Sequence, residues 1–535
     1  MTTSSRPERP IELLALAGLS VALLAVRLVA SARIGFGDSE ALYASYALHP
    51  QPAYLDHPAL IGGIARVIGG GTAPTPEDAH LVTSVAATLV PWALVLACRA
   101  CGAELRHALV AGLVFALIPE IAIGLFAMTP DLPLALAWLG ALTFAARALR
   151  APAGSRSASL GFAAAGVLAG VAAASKVTGA LLFAALICAY ASRPARAHVR
   201  SAAPWAGLAA GAIVFTPFVA FEAKRGWPML AHRLVDTQRT AGFSLLNVGA
   251  LVGGQLAYLS PLVALLVILA AREAWRGRHD AVGALLFALF AVPLAALVPL
   301  CLWSRTAEPH WLAPPLLALG PAAARAGAVA SRRLVIATMV LSGAVVAAVH
   351  AWVLIPEALR LAPASYDPRL DLANELYGWP TVVRAVRSEA LAERTPGSRP
   401  NDAVVVGPHW VICAQLEAAL GGDIPVGCDT PVPDDFDTWL PRDRWRRADS
   451  IVWVSDTRFG PPPVLATHSV VRTSHVYVRR GGRGVRLFTI TVLERRLEAR
   501  RETHHGACMA VRPTSRRSAR SPSASGLGVV RSLSP

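Results

Sequence analysis

The densest set of chemically useful side chains lies in one stretch, residues 35–60, which reads GFGDSEALYASYALHPQPAYLDHPAL and sits between two apolar runs. It holds three carboxylates (Asp38, Glu40, Asp56), a histidine beside a proline (His57, Pro58) and three tyrosines (Tyr43, Tyr46, Tyr54). Ionisable groups are costly to desolvate at a membrane boundary, so such a concentration marks a polar cavity or a substrate path. The plainer reading is a solvated loop whose short helix is capped by Asp38. A carboxylate here could take a proton from a hydroxyl.

Further ionisable groups recur at the ends of later apolar runs: Asp131 after Thr129-Pro130, Lys176, then His232, Arg233 and Arg239, then Arg305, Glu308 and His310. Cations of this kind can hold a phosphate before and after a bond to it breaks. Carboxylates and cations in one chamber suit transfer from a lipid phosphate. Each group also has a plainer role. Lys176 can snorkel, Arg233 and Arg239 can meet headgroups, and Asp131 and Glu40 can offset a helix dipole. His310 beside Trp311 can anchor at the interface.

The elements that must position these groups are membrane helices. Of 535 residues, 54% are hydrophobic, and runs of near-spanning length recur up to residue 355. About 20 apolar residues cross a bilayer as a helix. Eleven spans are expected, at 11–30, 81–97, 109–126, 132–149, 160–175, 178–191, 205–221, 248–271, 281–302, 312–328 and 334–355. The first is read as a retained helix rather than a cleaved leader. Residues 59–70 read as a helix lying along the interface.

Loops after the second, fourth, sixth, eighth and tenth spans are basic. The intervening loops carry Asp, Glu, His and Trp. The positive-inside rule then puts the N-terminus in the cytoplasm, and an odd number of spans puts the C-terminal part outside. The formal charge of +16 therefore reads as a topology signal plus a basic tail, not as a nucleic-acid surface.

After a proline-rich junction, residues 371–394 have helical spacing. Residues 404–406, 424–426, 451–454, 470–478 and 485–493 read as strands, and 410–420 as a helix. The expected organisation is a transmembrane domain (1–355, with an outer loop 31–80), a periplasmic α/β domain (356–498) and a disordered Arg/Ser-rich tail (499–535). Cys98 and Cys101 form a lone CxxC that reads as packing, not zinc. Cys413 and Cys428 can pair if their domain is exported. No metal-ligand motif stands out, and no cofactor is expected.

Several short motifs carry a family resemblance. Glu40-Ala41-x-Tyr43 followed by Tyr54-x-Asp56-His57-Pro58 resembles the first outer loop of the family-39-like glycosyltransferases of the GT-C superfamily. These include the protein O-mannosyltransferases and the lipid A aminoarabinose transferases. Thr129-Pro130-Asp131-x-Pro133-Leu134 resembles TPDxPL, and Ser175-Lys176-x-Thr178 resembles SKYT. Gly253-Gly254-Gln255 with Ser260-Pro261 resembles GGQ and SP. Glu308-Pro309-His310-Trp311 with Ala313-Pro314 resembles EPNWxAP. Leu376-Tyr377-Gly378-Trp379 also fits bacterial members. The resemblance spans residues 10–495.

It implies a polytopic α-helical GT-C-like fold in a bacterial inner membrane and a sugar donor carried on polyprenyl phosphate. The acceptor would be an exported lipid, glycan or protein. Asp38 or Glu40 would deprotonate the acceptor hydroxyl, and Lys176, Arg239 and Arg305 would neutralise the departing phosphate. Asp131 and His57 would shape the sugar pocket, with Asp56, Glu308 and His310 binding substrate beside them. Two departures stand out. The family's adjacent Asp-Glu is Asp38-Ser39-Glu40 here, and its Asn between Pro and Trp is His310. One residue at a helix start turns a side chain by about 100°. The rival readings are a polar-lipid transporter or flippase, which calls for ionisable groups at mid-membrane depth, and a catalytically silent relative that binds the lipid carrier.

Overall fold

The computed structural model describes residues 11–304, 308–327, 330–393 and 403–496. The expected tail lies outside them. Among the described residues, seven helices are long and apolar enough to cross a membrane: Ile11–Ser31, Pro76–Ala100, Asp131–Arg150, Arg156–Ser175, Ala203–Lys224, Ala281–Trp303 and Arg332–Leu354. Three further expected spans are bent pairs, Leu105–Ala116 with Pro119–Phe126, Val177–Tyr190 with Arg193–Val199, and Leu245–Leu259 with Pro261–Gly277. The chain is a multi-pass membrane protein.

The breaks have local causes. Pro119 and Pro261 each open the second half of a pair and cannot donate back into the first. At the first break, Arg27 from the opening span donates to the carbonyls of Ile121 (3.0 Å) and Ala122 (2.9 Å), so the freed backbone groups are not left bare in an apolar setting. The expected span 312–328 is not one helix. It is Pro309–Leu312, Ala313–Leu316 and Leu319–Ala326, interrupted where Pro314 and Pro315 remove donors.

Close helix contact sets the position of Lys176. Gly166 and Gly170 on Arg156–Ser175 meet Gly207 and Gly211 on Ala203–Lys224, and a Cβ on Gly166 would lie 1.8 Å from the Gly207 carbonyl oxygen. Small residues four apart allow such backbone approach between membrane helices.

Leu354, at the end of the last long helix, packs with Ala30 and Ile34 at the end of the first. At the opposite face Arg106 pairs with Glu12 (2.9 Å) and Arg325 with Asp280 (2.8 Å). With each bent pair as one crossing, ten segments among the described residues are long and apolar enough to span.

The C-terminal part is a five-stranded sheet of β1 (Ala403–Gly407), β2 (Val426–Cys428), β3 (Ser450–Asp456), β4 (His468–Arg480) and β5 (Arg483–Arg495), in the order β2-β1-β3-β5-β4. β1 is parallel to β2 and β3, and β5 is antiparallel to β3 and β4. Helix Trp410–Leu420 connects β1 to β2 and buries most of its length. The helix expected at 371–394 begins only at Trp379, because Gly378 sits at φ +86° and Pro380 fits a first turn. The sheet domain packs directly on the loop after the first span. Gln415 Nε2 donates to the Phe36 carbonyl (2.8 Å), and the Gly35 amide donates to the Leu376 carbonyl (2.9 Å).

Candidate active site

Four of the groups singled out by sequence meet in a chain of contacts. Lys176 Nζ donates to Asp131 Oδ1 at 2.8 Å and lies 3.2 Å from His310 Nε2. On its other side, His310 Nδ1 lies 3.1 Å from Glu308 Oε2. Asp131 opens helix Asp131–Arg150 just after Pro130. Lys176 follows Ser175, where the helix ends and the chain turns extended. Glu308 and His310 sit on the short Pro309–Leu312 turn, which is pinned by Gln255 Nε2 donating to the Pro309 carbonyl (2.6 Å). Gly254 permits that contact, since a Cβ there would come within 2.1 Å of the Pro309 ring.

The first loop adds a second set of groups. Tyr43 Oη and His57 Nε2 are 3.0 Å apart, and Tyr43 feels the charges of Asp56, Asp131, Arg233 and Glu308. Burial, and then Arg233, Lys176 and His310, hold the His57 pKa well below the usual histidine value, so the ring is neutral. Its Nδ1 has no partner among the described residues. Asp56 Oδ1 pairs with Arg233 at 2.9 Å and has His232 3.9 Å away. Asp56 and Asp131 each keep about a quarter of their side-chain surface open (29% and 25%), so both can meet a ligand.

The two expected bases make their contacts elsewhere. Glu40 is fully engaged. Its Oε1 accepts from the Met128 amide (2.7 Å) and lies 2.9 Å from His80 Nε2, and its Oε2 accepts from the Gly37 amide (2.9 Å). It pins the first loop to the Thr129-Pro130-Asp131 turn. Asp38 is buried under the sheet domain, where Gln415 (3.4 Å) and Arg458 (3.3 Å) donate to it. Arg458 also binds Asp456 (3.0 Å) and approaches Glu375 (3.8 Å), and Arg486 binds Asp456 (2.7 Å). Burial raises the Asp38 pKa against the pull of these arginines. Burial and the nearby Asp38 push Glu375 up to about 7. Ser39, at the position of the family's Asp, points outward and is exposed.

Among the cations, Arg239 pairs with Asp236 (3.3 Å), is largely exposed and joins no contact in the cluster. Arg305 lies outside the described residues. Tyr258, whose ring centroid is 6.4 Å from that of His310, is a neighbour of the cluster that the sequence did not single out, whereas Tyr43 and Arg233 were noted there without a specific part in the site. Tyr43 stood inside the first-loop motif, and Arg233 stood in a loop where a headgroup contact explained it equally well.

Beside this polar cluster lies an apolar cavity of about 560 Å³, lined by residues such as Leu113, Val114, Leu266, Val267, Leu316 and Met339. It reaches Glu12, Arg106 and Arg332 at one end and Glu120 at the other. Glu120 is close enough to feel the charges of Asp131 and Lys176. Helix Leu105–Ala116 along its wall is about 18 Å long at 1.5 Å per residue. The cavity therefore runs through a large part of the membrane depth and ends near the polar groups.

The same arrangement of membrane helices and capping domain occurs in solved structures. The chain superposes on ArnT from Cupriavidus metallidurans bound to undecaprenyl phosphate with a TM-score of 0.56, covering 89% of this chain and 97% of that one at 16% identity. A family model for dolichyl-phosphate-mannose-protein mannosyltransferase matches residues 56–221, which include Asp56, His57, Asp131 and Lys176. This chain shares the fold of that ArnT. The apo form of the same ArnT gives a TM-score of 0.56 over 90% of this chain and 98% of its own, at 14% identity. The oligosaccharyltransferase of Archaeoglobus fulgidus aligns more loosely, with a TM-score of 0.46 at 13% identity over 82% of this chain and 69% of that one. No curated protein sequence matches the chain.

Proposed function

We infer that the chain is a membrane glycosyltransferase that moves a sugar from a polyprenyl-phosphate-linked donor to an acceptor hydroxyl on the non-cytoplasmic face. One observation carries this reading. Asp131, Lys176, Glu308 and His310 converge with Tyr43, Asp56, His57 and Arg233 beside a membrane-depth apolar cavity. The cavity suits a polyprenyl chain, and Lys176 suits its phosphate. Undecaprenyl phosphate is bound to the C. metallidurans ArnT that shares this fold.

The residues take these parts. Asp56 removes the proton of the acceptor hydroxyl, whose oxygen attacks the anomeric carbon. The bond from that carbon to the phosphate oxygen breaks, and its electron pair leaves with the phosphate. Lys176 meets the charge that develops there, with Arg233 nearby. Asp131 orients Lys176, and the buried, unpartnered Nδ1 of His57 is the ring atom left to take a sugar hydroxyl. Asp38 serves as base in a second reading, favoured by its raised proton affinity. The transporter reading calls for ionisable groups at mid-membrane depth, whereas this cluster sits at helix ends.

The reading extends to organisation and location. A membrane domain (1–355) and an outer α/β domain (356–498) enclose the site, in a bacterial inner membrane with a cytoplasmic N-terminus. The basic loop ends gathered opposite the site support that orientation. The test is transfer of labelled sugar from a polyprenyl-phosphate donor in membranes. Transfer that collapses in Lys176→Ala and Asp56→Asn supports the site. Full transfer in both variants overturns it, and donor binding without turnover in the wild type identifies a carrier-binding protein instead.

A further inference from the structure

The contacts around His310 fix its proton. Lys176 Nζ is 3.2 Å from His310 Nε2. An ammonium has donors only, so Nε2 accepts, and the proton of the neutral ring sits on Nδ1, facing Glu308 at 3.1 Å. In this state the ring stands between Lys176 and Glu308, and among the described residues Lys176 has Asp131 as its carboxylate partner.

Protonating the ring changes both charge and geometry. The new Nε2 proton cannot point at an ammonium. The carboxylate within its reach is Asp131, whose Oδ2 is 3.8 Å away. The charged ring therefore competes with Lys176 for Asp131 and frees the ammonium for a ligand, while Glu308 holds the other nitrogen. We propose that His310 takes up one proton when the donor's phosphate binds beside Lys176, so that donor affinity is proton-linked. This rests on the reading of the cluster as a phosphate site. An Asn at this position, as in the resembling family, could not titrate.

Among the described residues, other charged and titratable groups face the ring from several elements. Glu308 shares its segment, Asp131 opens one helix and Lys176 follows another. Tyr258 presents its ring from helix Leu245–Leu259. His57, within electrostatic reach from the first loop, is held neutral by burial. Glu120 acts on Asp131 and Lys176, and Arg233 and Asp56 act on Tyr43. Of these, the imidazole of His310 is the group whose two protonation states differ in what they do to Lys176.

The experiment uses the purified full chain in detergent and an isoprenoid phosphodiester, which carries one fixed negative charge. Its Kd is measured from pH 5.5 to 8.5. The wild type is expected to bind at least about tenfold more weakly at the top of this range than at the bottom, with uptake of nearly one proton when calorimetry is compared in two buffers. His310→Asn and His310→Gln are expected to bind at every pH with the weaker, high-pH affinity. Zero proton uptake by the wild type, or an equal slope in the variants, overturns the proposal. Lys176→Ala separates the two levels: if it leaves binding untouched, the phosphate site itself is wrong; if it weakens binding while the His310 variants keep the slope, only the proton linkage is wrong.

Discussion

Glu40 holds the backbone of Met128: its Oε1 accepts the Met128 amide proton at 2.7 Å, across 88 positions of sequence. The contact ties the first loop to the turn that delivers Asp131. With the Gly37 amide and His80 also on this carboxylate, its replacement by Gln substitutes an NH₂ for one acceptor and leaves a buried donor unpaired. That costs about 1–3 kcal/mol. Glu40→Gln is therefore expected to lower the melting temperature and to reduce transfer through a displaced Asp131. Thermal unfolding in detergent checks it, and an unchanged melting temperature would rule out the pinning role.

The seam between the first loop and the sheet domain should respond to pH. Burial pushes Asp435 up to about 8 and Glu375 up to about 7. Asp435 receives the Leu55 amide (3.2 Å) and the Tyr46 hydroxyl (3.3 Å). Both folded values lie above the unfolded ones, so the folded chain binds more protons between them, and stability falls as pH rises. Buried His57, His232 and His409, whose pKa values are lowered, act in the opposite sense but only below about 6.5. From pH 6.5 to 8 the loss is expected to be on the order of 1 kcal/mol per pH unit. Asp435→Asn should flatten most of it in melting temperatures taken across that window.

The sulfurs of Cys413 and Cys428 lie 2.7 Å apart in the sheet domain, both buried. Such a pair closes to a disulfide in an oxidising compartment and stays as thiols in a reducing one. If the domain is exported, protein isolated from membranes with alkylation before reduction should carry both cysteines blocked. Free, alkylated thiols at these two positions would put the domain on the cytoplasmic side and reverse the orientation.

How far the site was legible depends on the range of its contacts. Asp131, Lys176 and His310 could be read because each ends an apolar run on the same side, and side is set by local charge. The fate of Asp38 could not. Its partners Gln415 and Arg458 stand 377 and 420 positions away, and no local pattern announces them. The span expected at 312–328 was counted from apolar content, which took no account of the donors missing at Pro314 and Pro315. The sheet was legible because β1 and β3 are continuous buried apolar runs. Strand β2 begins at Val426 rather than residue 424, as its short run carries no periodicity to fix its start.

The choice of base separates two carboxylates that the sequence placed in one loop. Asp56 is partly open beside Lys176's neighbours, while Asp38 is buried with Gln415 and Arg458. A general base contributes about 10²–10⁴-fold. Asp56→Asn is expected to cut kcat by at least about a hundredfold, with a smaller change in donor KM. Asp38→Asn removes a charge from an arginine network, so its main effect should be a lower melting temperature, with kcat reduced several-fold. Steady-state transfer kinetics and melting curves on both variants decide between them. A hundredfold loss of kcat in Asp38→Asn at an unchanged melting temperature would move the base to Asp38 and require the sheet domain to swing off the loop before the acceptor can reach it.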